Sequence, residues 1–234
     1  MGWTLVTGGA TGLGAEICRH LASKGYPVVV HYRQSKNEAE AVAEQCRSLG
    51  SDAATIQGDF SDPGSLQAFA KRYLDTFPET TALINNASAY LVAPLSKTSS
   101  PQWEEIYQTN VHAPFFLSTA LLPQLRQHQG TIINIGVSGI DTRRADTYSS
   151  AYTISKQALC SMTRSLAKEL APEHVRVNMV SPGMLERSQD SLPSLPMGRP
   201  AAFAEVAGVV LFLLDKTNSY ITGQNIEVAG GLAL

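Results

Sequence analysis

Residues 7–14 read Thr7-Gly8-Gly9-Ala10-Thr11-Gly12-Leu13-Gly14, after a β-branched apolar run and at the start of a helical pattern. In such a turn Gly12 and Gly14 let the backbone approach a pyrophosphate, and the following helix offers free N–H groups and the positive end of its dipole. The glycine spacing is wider than in the usual dinucleotide fingerprint, so a purely structural turn is the alternative interpretation. The stretch predicts a strand–turn–helix unit with a dinucleotide site.

The chain around this turn alternates short apolar runs with longer segments of helical periodicity, which is typical of βαβ units with a buried parallel sheet. The predicted strands are Thr4–Thr7, Val28–Tyr32, Ala53–Gln57, Ala82–Asn85, Thr131–Ile135, Arg176–Val180 and Asn225–Val228. The predicted helices are Gly12–Ser23, Lys36–Leu49, Pro63–Phe77, Pro101–Gln127 with kinks at Pro114 and Pro123, Ser149–Leu170 and Pro200–Leu214. Three helices begin at proline, which needs no N–H there, and Asp62 and Ser100 are the expected N-caps of two of them.

The number of domains follows from length and from the absence of a linker. No stretch rich in Pro, Gly or Ser separates two apolar cores, and 234 residues suit one domain. The sequence predicts an α/β fold with a doubly wound, seven-stranded parallel sheet and helices on both faces, in a single domain over residues 1–234. The stretch 184–199, rich in Ser and Pro, is expected to be a loop beside the site.

Composition narrows the possible partners and the compartment. Eighteen Lys and Arg against 20 Asp and Glu give a net charge of −2, which offers no electrostatic reason to bind nucleic acid or an anionic membrane. The longest apolar run is far shorter than the roughly 18 residues of a membrane span. Three widely separated cysteines and the lack of a signal peptide predict reduced thiols and a cytoplasmic location. The five histidines lack metal-ligand spacing, so no metal is expected.

The end of the second predicted strand indicates which cofactor is bound. An acid at this place selects NAD through its ribose hydroxyls, whereas a basic residue accommodates the 2′-phosphate of NADP. Here Arg33 can pair with that phosphate and Ser35 can donate to it, and the first acid is Glu38. The sequence therefore favours NADPH, with a solvated surface loop as the alternative.

Tyr152 and Lys156 lie four residues apart on a predicted helix, so their side chains share one face. A phenol donates its proton poorly at neutral pH, but a neighbouring ammonium favours the phenolate and brings its pKa closer to working pH. The pair predicts a general acid, Tyr152, for a substrate that has accepted a hydride.

Four motifs occur in a fixed order: the turn at 7–14, Asn85-Asn86-Ala87-Ser88 after a strand, Tyr152-x-x-x-Lys156 and Ser181-Pro182-Gly183. In this order they resemble the short-chain dehydrogenase/reductase family over the whole chain. The resemblance implies a Rossmann fold, an oxidoreductase activity and a homotetramer arranged as a dimer of dimers. It also implies a cofactor-binding part over about residues 1–135 and a catalytic and substrate part over about 136–234.

The resemblance further implies the site residues. The expected contacts of NADPH or NADP⁺ are Gly8, Thr11, Gly12, Leu13, Gly14, His31, Tyr32, Arg33, Ser35, Asp59, Phe60, Asn86, Ala87, Ser88, Tyr152, Lys156, Pro182, Gly183 and Met184. The expected catalytic residues are Asn110, Ser138, Tyr152 and Lys156, with Asn110 supporting Lys156 through a water and Lys156 also binding the nicotinamide ribose. The expected substrate contacts are Ser88, Tyr90, Ser138 and Tyr152.

Two positions depart from the family pattern. The family has a Ser or Asp thirteen residues before the tyrosine, and this chain has Gly139 there. Counting forward from the preceding strand places the same family position at Val137 instead. Ser138 lies between the two registers and is the expected polarising hydroxyl, with Asp141 as the alternative. The second departure is Arg187, where many members have a threonine that contacts the nicotinamide carboxamide; Ser188 is the possible substitute.

Ser88 and Tyr90 bear on the substrate, since most members have glycine where this chain has Ser88. A serine followed by an aromatic residue two positions later resembles pteridine and dihydromonapterin reductases, in which the ring stacks on the pterin, so the resemblance favours a pterin as the substrate. The same motifs, together with Tyr220-Ile221-Thr222-Gly223, are also similar to 3-oxoacyl-[acyl-carrier-protein] reductases and other carbonyl reductases. A catalytically silent cofactor-binding regulator is a third hypothesis.

The ketoacyl alternative requires an acidic acyl carrier protein as a partner, and therefore basic residues near the site entrance. The candidates for such a patch are Arg126, Arg143, Arg144 and Arg187.

Overall fold

A computed structural model describes residues 2–141, 145–188 and 195–232 and places seven parallel strands in one sheet. The strands are β1 Trp3–Val6, β2 Val28–Tyr32, β3 Ala53–Gln57, β4 Thr80–Asn85, β5 Thr131–Ile135, β6 Arg176–Pro182 and β7 Asn225–Val228. Their spatial order is β3-β2-β1-β4-β5-β6-β7. The order reverses direction between β1 and β4, and ligands of such sheets bind at this switch, beyond the carboxyl ends of the strands.

Helices cover both faces of the sheet, so the predicted doubly wound α/β Rossmann fold is confirmed. They are α1 Gly12–Ala22, α2 Lys36–Ser48, α3 Pro63–Thr76, α4 Ser100–Tyr107, α5 Ala113–Ala120, α6 Leu122–His128, α7 Ser150–Leu170 and α8 Phe203–Leu214. On one face Val30 of β2 belongs to a core cluster with α1, α2 and α8. On the other face its neighbour Val29 belongs to a cluster with α3, α5, α6 and α7. Adjacent strand residues are therefore buried on opposite sides, as a sheet covered on both faces requires.

The predicted helix Pro101–Gln127 is interrupted and consists of several elements. A π-helical turn, Gln108–His112, separates α4 from α5, and the N–H of Ala113 donates to the carbonyl of Gln108 five residues earlier. Because Pro114 has no N–H for the carbonyl of Asn110, the α-helical pattern cannot continue through this position. The N-cap of α4 is Ser99, whose hydroxyl accepts from the N–H of Gln102, so the expected Ser100 cap is wrong by one residue. Asp62 caps α3 as predicted, accepting from the N–H of Ser65.

The last helix begins at Phe203, so the predicted start at Pro200 is wrong. An isolated bridge between Leu185 and Ala201 keeps this part of the chain extended, with the N–H of Ala201 donating to the carbonyl of Met184 at 2.8 Å. Ala202 is the N-cap, and its N–H donates to the carboxylate of Glu205 at 2.8 Å. The predicted loop 184–199 is described except for residues 189–194. No helix in the described part of the chain is long and apolar enough to cross a membrane.

The glycine turn is attached to the end of β4 by Thr7 and Asn86. The Thr7 hydroxyl donates to the carbonyl of Ile84 at 3.2 Å and accepts from the N–H groups of Asn86 and Ala87 at 2.9 and 3.0 Å. The Asn86 amide donates back to the carbonyls of Thr7 and Gly8. A Cβ on Gly14 would lie 2.6 Å from Nδ2 of Asn86 and closer still to the Gly8 carbonyl oxygen, so only glycine fits there. The sequence of this turn therefore fixes how β1, β4 and α1 meet.

His31 supports the same turn from below. Its Nδ1 accepts from the N–H of Gly8 at 2.9 Å, so the proton is on Nε2, which donates to the carbonyl of Gly58 at 3.1 Å. The imidazole is 3% exposed and stacks on Phe60 with ring centroids 4.3 Å apart. Burial lowers the pKa of His31 to about 4. The side chains of His31 and Phe60 are therefore packed beneath the turn, and the expected cofactor contacts of these two residues stay a prediction.

The buried imidazole predicts a loss of stability in acid. The unfolded chain takes up a proton at His31 near its ordinary pKa of about 6.5, whereas the folded chain resists protonation down to about 4. The free energy of unfolding should therefore fall as the pH drops through this window, by about 2 kcal/mol between about pH 7 and pH 5 from this group alone. Urea unfolding at both pH values measures the loss.

The matched variants are His31→Gln, which removes the titrating group, and His112→Gln, which removes an exposed one. The pH-dependent loss should shrink in His31→Gln and persist in His112→Gln. An equal loss in both variants would show that His31 is not the group responsible.

Candidate active site

A cavity of about 840 Å³ opens at the carboxyl edge of the sheet, where β5 and β6 end. It is bounded by the segments that follow β5 and β6 and by the first turns of α7. The side chains and backbone that line it include Tyr90, Val137, Ser138, Asp146, Tyr152, Thr153, Gln157, Pro182, Gly183, Met184 and Ser188. The structure thus brings the predicted substrate contacts Tyr90, Ser138 and Tyr152 to one cavity.

Tyr152 presents its phenol to this cavity next to Ser88 and Tyr90. The Tyr152 and Tyr90 rings meet edge to face, with centroids 4.8 Å apart and an interplanar angle of 85°. Burial and the nearby Tyr90 phenol raise the pKa of Tyr152 well above its ordinary value, and the hydrogen bond with the Ser88 hydroxyl lowers it by less. Tyr152 is therefore a neutral phenol that holds its proton, which suits a group that delivers a proton only to a strong base.

Lys156 lies behind the tyrosine, 2% exposed. Its Nζ donates to the carbonyl of Ile135 at 2.8 Å and lies 5.6 Å from the centroid of the Tyr152 ring. Burial lowers the pKa of Lys156 to about 8. Burial of the phenol has the largest effect on the Tyr152 pKa, and the Lys156 amine is directed at a backbone carbonyl, so the expected lowering of that pKa by the ammonium stays a prediction.

Asn110 is fully buried in the π-helical turn and joins three segments of the site. Its Oδ1 accepts from the N–H of Ala89 at 2.8 Å and from the Ser88 hydroxyl at 3.1 Å. Its Nδ2 donates to the carbonyl of Ala89 and to the Ser155 hydroxyl, each at 3.0 Å. The side chain thus fixes the Ser88–Ala89 segment to α7 beside Lys156, while the expected water-mediated link to Lys156 stays a prediction.

The two candidates for the polarising group are separated by the structure. Ser138 lines the cavity together with Tyr152, and its N–H donates to the carbonyl of Pro182 at 2.9 Å. Asp141 is engaged elsewhere: its carboxylate accepts from Arg164 at 2.6 Å and from Asn225 at 3.0 Å. The oxygens of Asp141 are thus held in an ion pair and an amide hydrogen bond, and Ser138 stays the predicted polarising group.

The glycine turn has the features that a dinucleotide pyrophosphate requires. Gly12 begins α1 with a φ of 52°, and no side chain caps the helix, so its first N–H groups are available to an anion. The backbone of Gly8, Gly14 and Ala87 closes around Asn86 at the base of the turn. Thus the Asn86 side chain holds the turn in shape, and the groups that fit a pyrophosphate are backbone N–H groups.

The end of β2 leaves polar groups beside the start of α2. Arg33 is exposed, and its carbonyl accepts from Nε2 of Gln57 at 3.2 Å. Ser35 is the N-cap of α2, but its hydroxyl makes no capping hydrogen bond. Asp59 accepts from the N–H of Ser61 at 2.9 Å. An exposed guanidinium, a hydroxyl and a helix N-terminus together suit a phosphate monoester.

Asp146 is a residue of the cavity wall that the sequence analysis missed. Its carboxylate accepts from the N–H groups of Tyr148 and Ser149 at 2.7 and 3.1 Å and from the hydroxyls of Ser149 and Thr153. Burial opposes this charge, but the hydrogen bonds lower the pKa of Asp146 below its ordinary value. Asp146 lies three residues before Ser149, the N-cap of α7, and therefore outside the position at which a capping residue is sought in a sequence. The carboxylate fixes the first turn of α7, which carries Tyr152.

The proposed basic patch for an acyl carrier partner is not assembled as expected. Arg126 lies near the end of α6, before β5 begins and hence at the opposite edge of the sheet, and pairs with Glu173. Arg187 lies beside Phe203, at the start of α8. Arg143 and Arg144 fall outside the described residues.

Comparison with known proteins agrees with this geometry. The family model described as short chain dehydrogenase matches residues 2–191. The 3-oxoacyl-[acyl-carrier-protein] reductase FabG of Staphylococcus aureus is 33% identical over 239 residues, covering 97% of this chain and 96% of the relative.

Two solved structures are similar over nearly the whole chain. A blue fluorescent protein from a metagenomic library, in complex with NADPH, is 31% identical with a TM-score of 0.92, covering 100% of this chain and 98% of that one. The landomycin C-6 ketoreductase LanV, with bound NADP and rabelomycin, is 29% identical with a TM-score of 0.91, covering 99% of this chain and 96% of that one. With the glycine turn, the Tyr152–Lys156 pair and the sheet order in place, the chain belongs to the short-chain dehydrogenase/reductase family.

Proposed function

We propose that this chain is an NADPH-dependent carbonyl reductase that converts a ketone into an alcohol, with Tyr152 as the proton donor. The observation that carries the proposal is the position of the Tyr152 phenol, which is protonated, lines the 840 Å³ cavity and contacts Ser88, two residues after the Asn86 that holds the glycine turn. The proposal is supported by the match to the short chain dehydrogenase family model and by the similarity to a 3-oxoacyl-[acyl-carrier-protein] reductase and a ketoreductase.

In this mechanism each residue has a task set by its contacts. Bound NADPH supplies the hydride. The hydroxyls of Tyr152 and Ser138 bind the ketone oxygen and favour the negative charge that develops on it. Tyr152 then gives its proton to that oxygen, and the ammonium of Lys156, 5.6 Å from the centroid of the ring, stabilises the phenolate that remains. Asn110 holds Ser88 in place through its 3.1 Å hydrogen bond.

The preference for NADPH rests on the start of α2. The 2′-phosphate would bind between Arg33 and the Ser35 hydroxyl, at the free N–H groups of the helix. No acid stands at the end of β2, where an NAD site would have one. The two similar structures bound to NADPH and NADP support the same choice.

A 3-oxoacyl thioester is the favoured substrate class, and a pterin is the second candidate. The first is supported by the identity with FabG over nearly the whole chain. The second is supported by Tyr90, which is 53% exposed in the cavity wall and could stack on a flat ring. A silent regulator is the least supported, since Tyr152, Lys156 and Asn110 are all in place. Tetramer formation and an acyl carrier partner remain predictions.

Replacement of Tyr152 by Phe tests the proton donor. We expect kcat to fall by about 100- to 10,000-fold, the usual contribution of general acid catalysis, while the Kd for NADPH changes little. Tyr220→Phe is the matched control, because Tyr220 is fully exposed and should keep the wild-type rate. A wild-type rate in Tyr152→Phe would assign proton delivery to another group.

Replacement of Arg33 by Ala tests the cofactor choice. Loss of a charge-assisted contact to the 2′-phosphate should weaken NADPH binding by about 10-fold or more and leave NADH binding unchanged. Titration of the protein fluorescence with each cofactor measures both constants. An equal loss for NADPH and NADH would place the 2′-phosphate away from Arg33.

The substrate class is tested by following NADPH oxidation with an acetoacetyl thioester and, separately, with dihydrobiopterin. We expect turnover of the thioester, and Tyr90→Ala should change its KM by no more than a few fold because the reacting carbonyl contacts Tyr152. Turnover of the pterin alone, lost in Tyr90→Ala, would replace the ketone with a stacked pterin. Oxidation of neither substrate, with tight NADPH binding, would favour the regulator.

A further inference from the structure

Arg187 follows the Pro182-Gly183 segment and is held next to the start of α8. The N–H of Glu186 donates to the carbonyl of Ala201 at 2.9 Å, and the Glu186 carboxylate accepts from the N–H of Phe203 at 3.0 Å. These bonds join the stretch after β6 to the first residue of α8. The position of Arg187 is therefore set by one backbone and one side-chain hydrogen bond of the preceding residue, Glu186.

The ring of Phe203 connects Arg187 with the glycine turn. Its Cζ lies 3.8 Å from the place of a Cβ on Gly12, the first residue of α1. The guanidinium carbon of Arg187 lies 6.0 Å from the centroid of the same ring, within the range of a cation–π contact. The Phe203 ring thus lies between the guanidinium of Arg187 and the N-terminus of α1, at which the pyrophosphate is proposed to bind.

The backbone and the charge of Arg187 both point to a ligand. Its φ is 72°, a left-handed conformation that costs a residue with a side chain about 1 kcal/mol or more. Its neighbours Arg199 and Glu205 pair with each other at 2.8 Å. Within residues 2–141, 145–188 and 195–232 no carboxylate pairs with Arg187. The guanidinium is consequently available to an external anion.

We propose that Arg187 binds the pyrophosphate of the dinucleotide, facing the N–H groups at the start of α1. A guanidinium can donate two parallel hydrogen bonds to phosphate oxygens, which the threonine expected here could not do. The inference rests on the proposed function, since it requires a dinucleotide in the turn. It assigns the arginine to the cofactor instead of to an acyl carrier partner.

Equilibrium binding of NADPH, NADH and 2′-AMP tests the contact, without reliance on turnover. Arg187→Ala should weaken NADPH and NADH by the same factor, about 10-fold or more, because both carry the pyrophosphate. Competition by 2′-AMP, which lacks a pyrophosphate, should be unchanged. Arg33→Ala is the matched control and should weaken NADPH and 2′-AMP but leave NADH unaffected. Arg187→Lys keeps the charge without the two-pronged geometry and should lie between wild type and Arg187→Ala.

A double-mutant cycle tests the supporting ring. Phe203→Leu should weaken both dinucleotides by less than Arg187→Ala, and the double variant should bind no more weakly than Arg187→Ala alone. Additive losses would contradict a role for the ring in placing the guanidinium.

The other outcomes separate the two levels of the inference. If the wild-type protein binds neither dinucleotide, the proposed function fails. If it binds both and Arg187→Ala binds them equally well, the function stands and the Arg187 contact is wrong. A loss of affinity for NADPH alone in Arg187→Ala would place Arg187 at the 2′-phosphate. Unchanged cofactor binding with a raised KM for an acyl carrier protein substrate would place Arg187 at the surface that binds the acyl carrier protein. Either result would overturn the proposal.

Discussion

The Thr7 hydroxyl joins the two central strands of the sheet, and the site is built around this joint. It donates to the end of β4 and accepts the N–H groups of Asn86 and Ala87, while Asn86 returns hydrogen bonds to the glycine turn. His31 braces the turn from below through the N–H of Gly8. Because a buried donor or acceptor without a partner costs about 1–3 kcal/mol, these bonds hold the turn to one geometry. Gly14 completes the joint, because a side chain at this position would collide with the Gly8 carbonyl and the Asn86 amide.

The proposed catalytic residues are held by neutral groups. Asn110 connects Ser88, Ala89 and Ser155, and Ser88 in turn contacts the Tyr152 phenol. Lys156 is buried with one backbone carbonyl as its hydrogen-bond acceptor, and burial lowers its pKa to about 8. A buried ammonium without a carboxylate in the described part of the chain retains its attraction for ligand hydroxyls and for a phenolate. In the proposed mechanism Lys156 attracts the charge that forms on Tyr152 during reduction, whereas burial of the phenol favours its neutral form.

Much of the fold could be predicted because strand period and turn glycines are local signals. The seven strands and the four-residue spacing of Tyr152 and Lys156 could be predicted from such local signals. The helix 101–127 was misjudged because a π turn depends on which carbonyl Pro114 leaves unpaired, and the α8 start was misjudged because a bridge to Leu185 keeps Ala201 extended. The burial of His31, the raised pKa of Tyr152 and the pairing of Asp141 with Arg164 arise from long-range packing, which no local pattern contains.

The most direct test of carbonyl reduction at this site is the fate of a labelled hydride. The protein is incubated with an acetoacetyl thioester and NADPH that carries deuterium at the transferred position of its nicotinamide, and the product is measured by mass spectrometry. Direct hydride transfer predicts a 3-hydroxyacyl thioester with one deuterium on its carbinol carbon, which does not exchange with water. Product without deuterium, or NADPH oxidation without a 3-hydroxyacyl product, would contradict it.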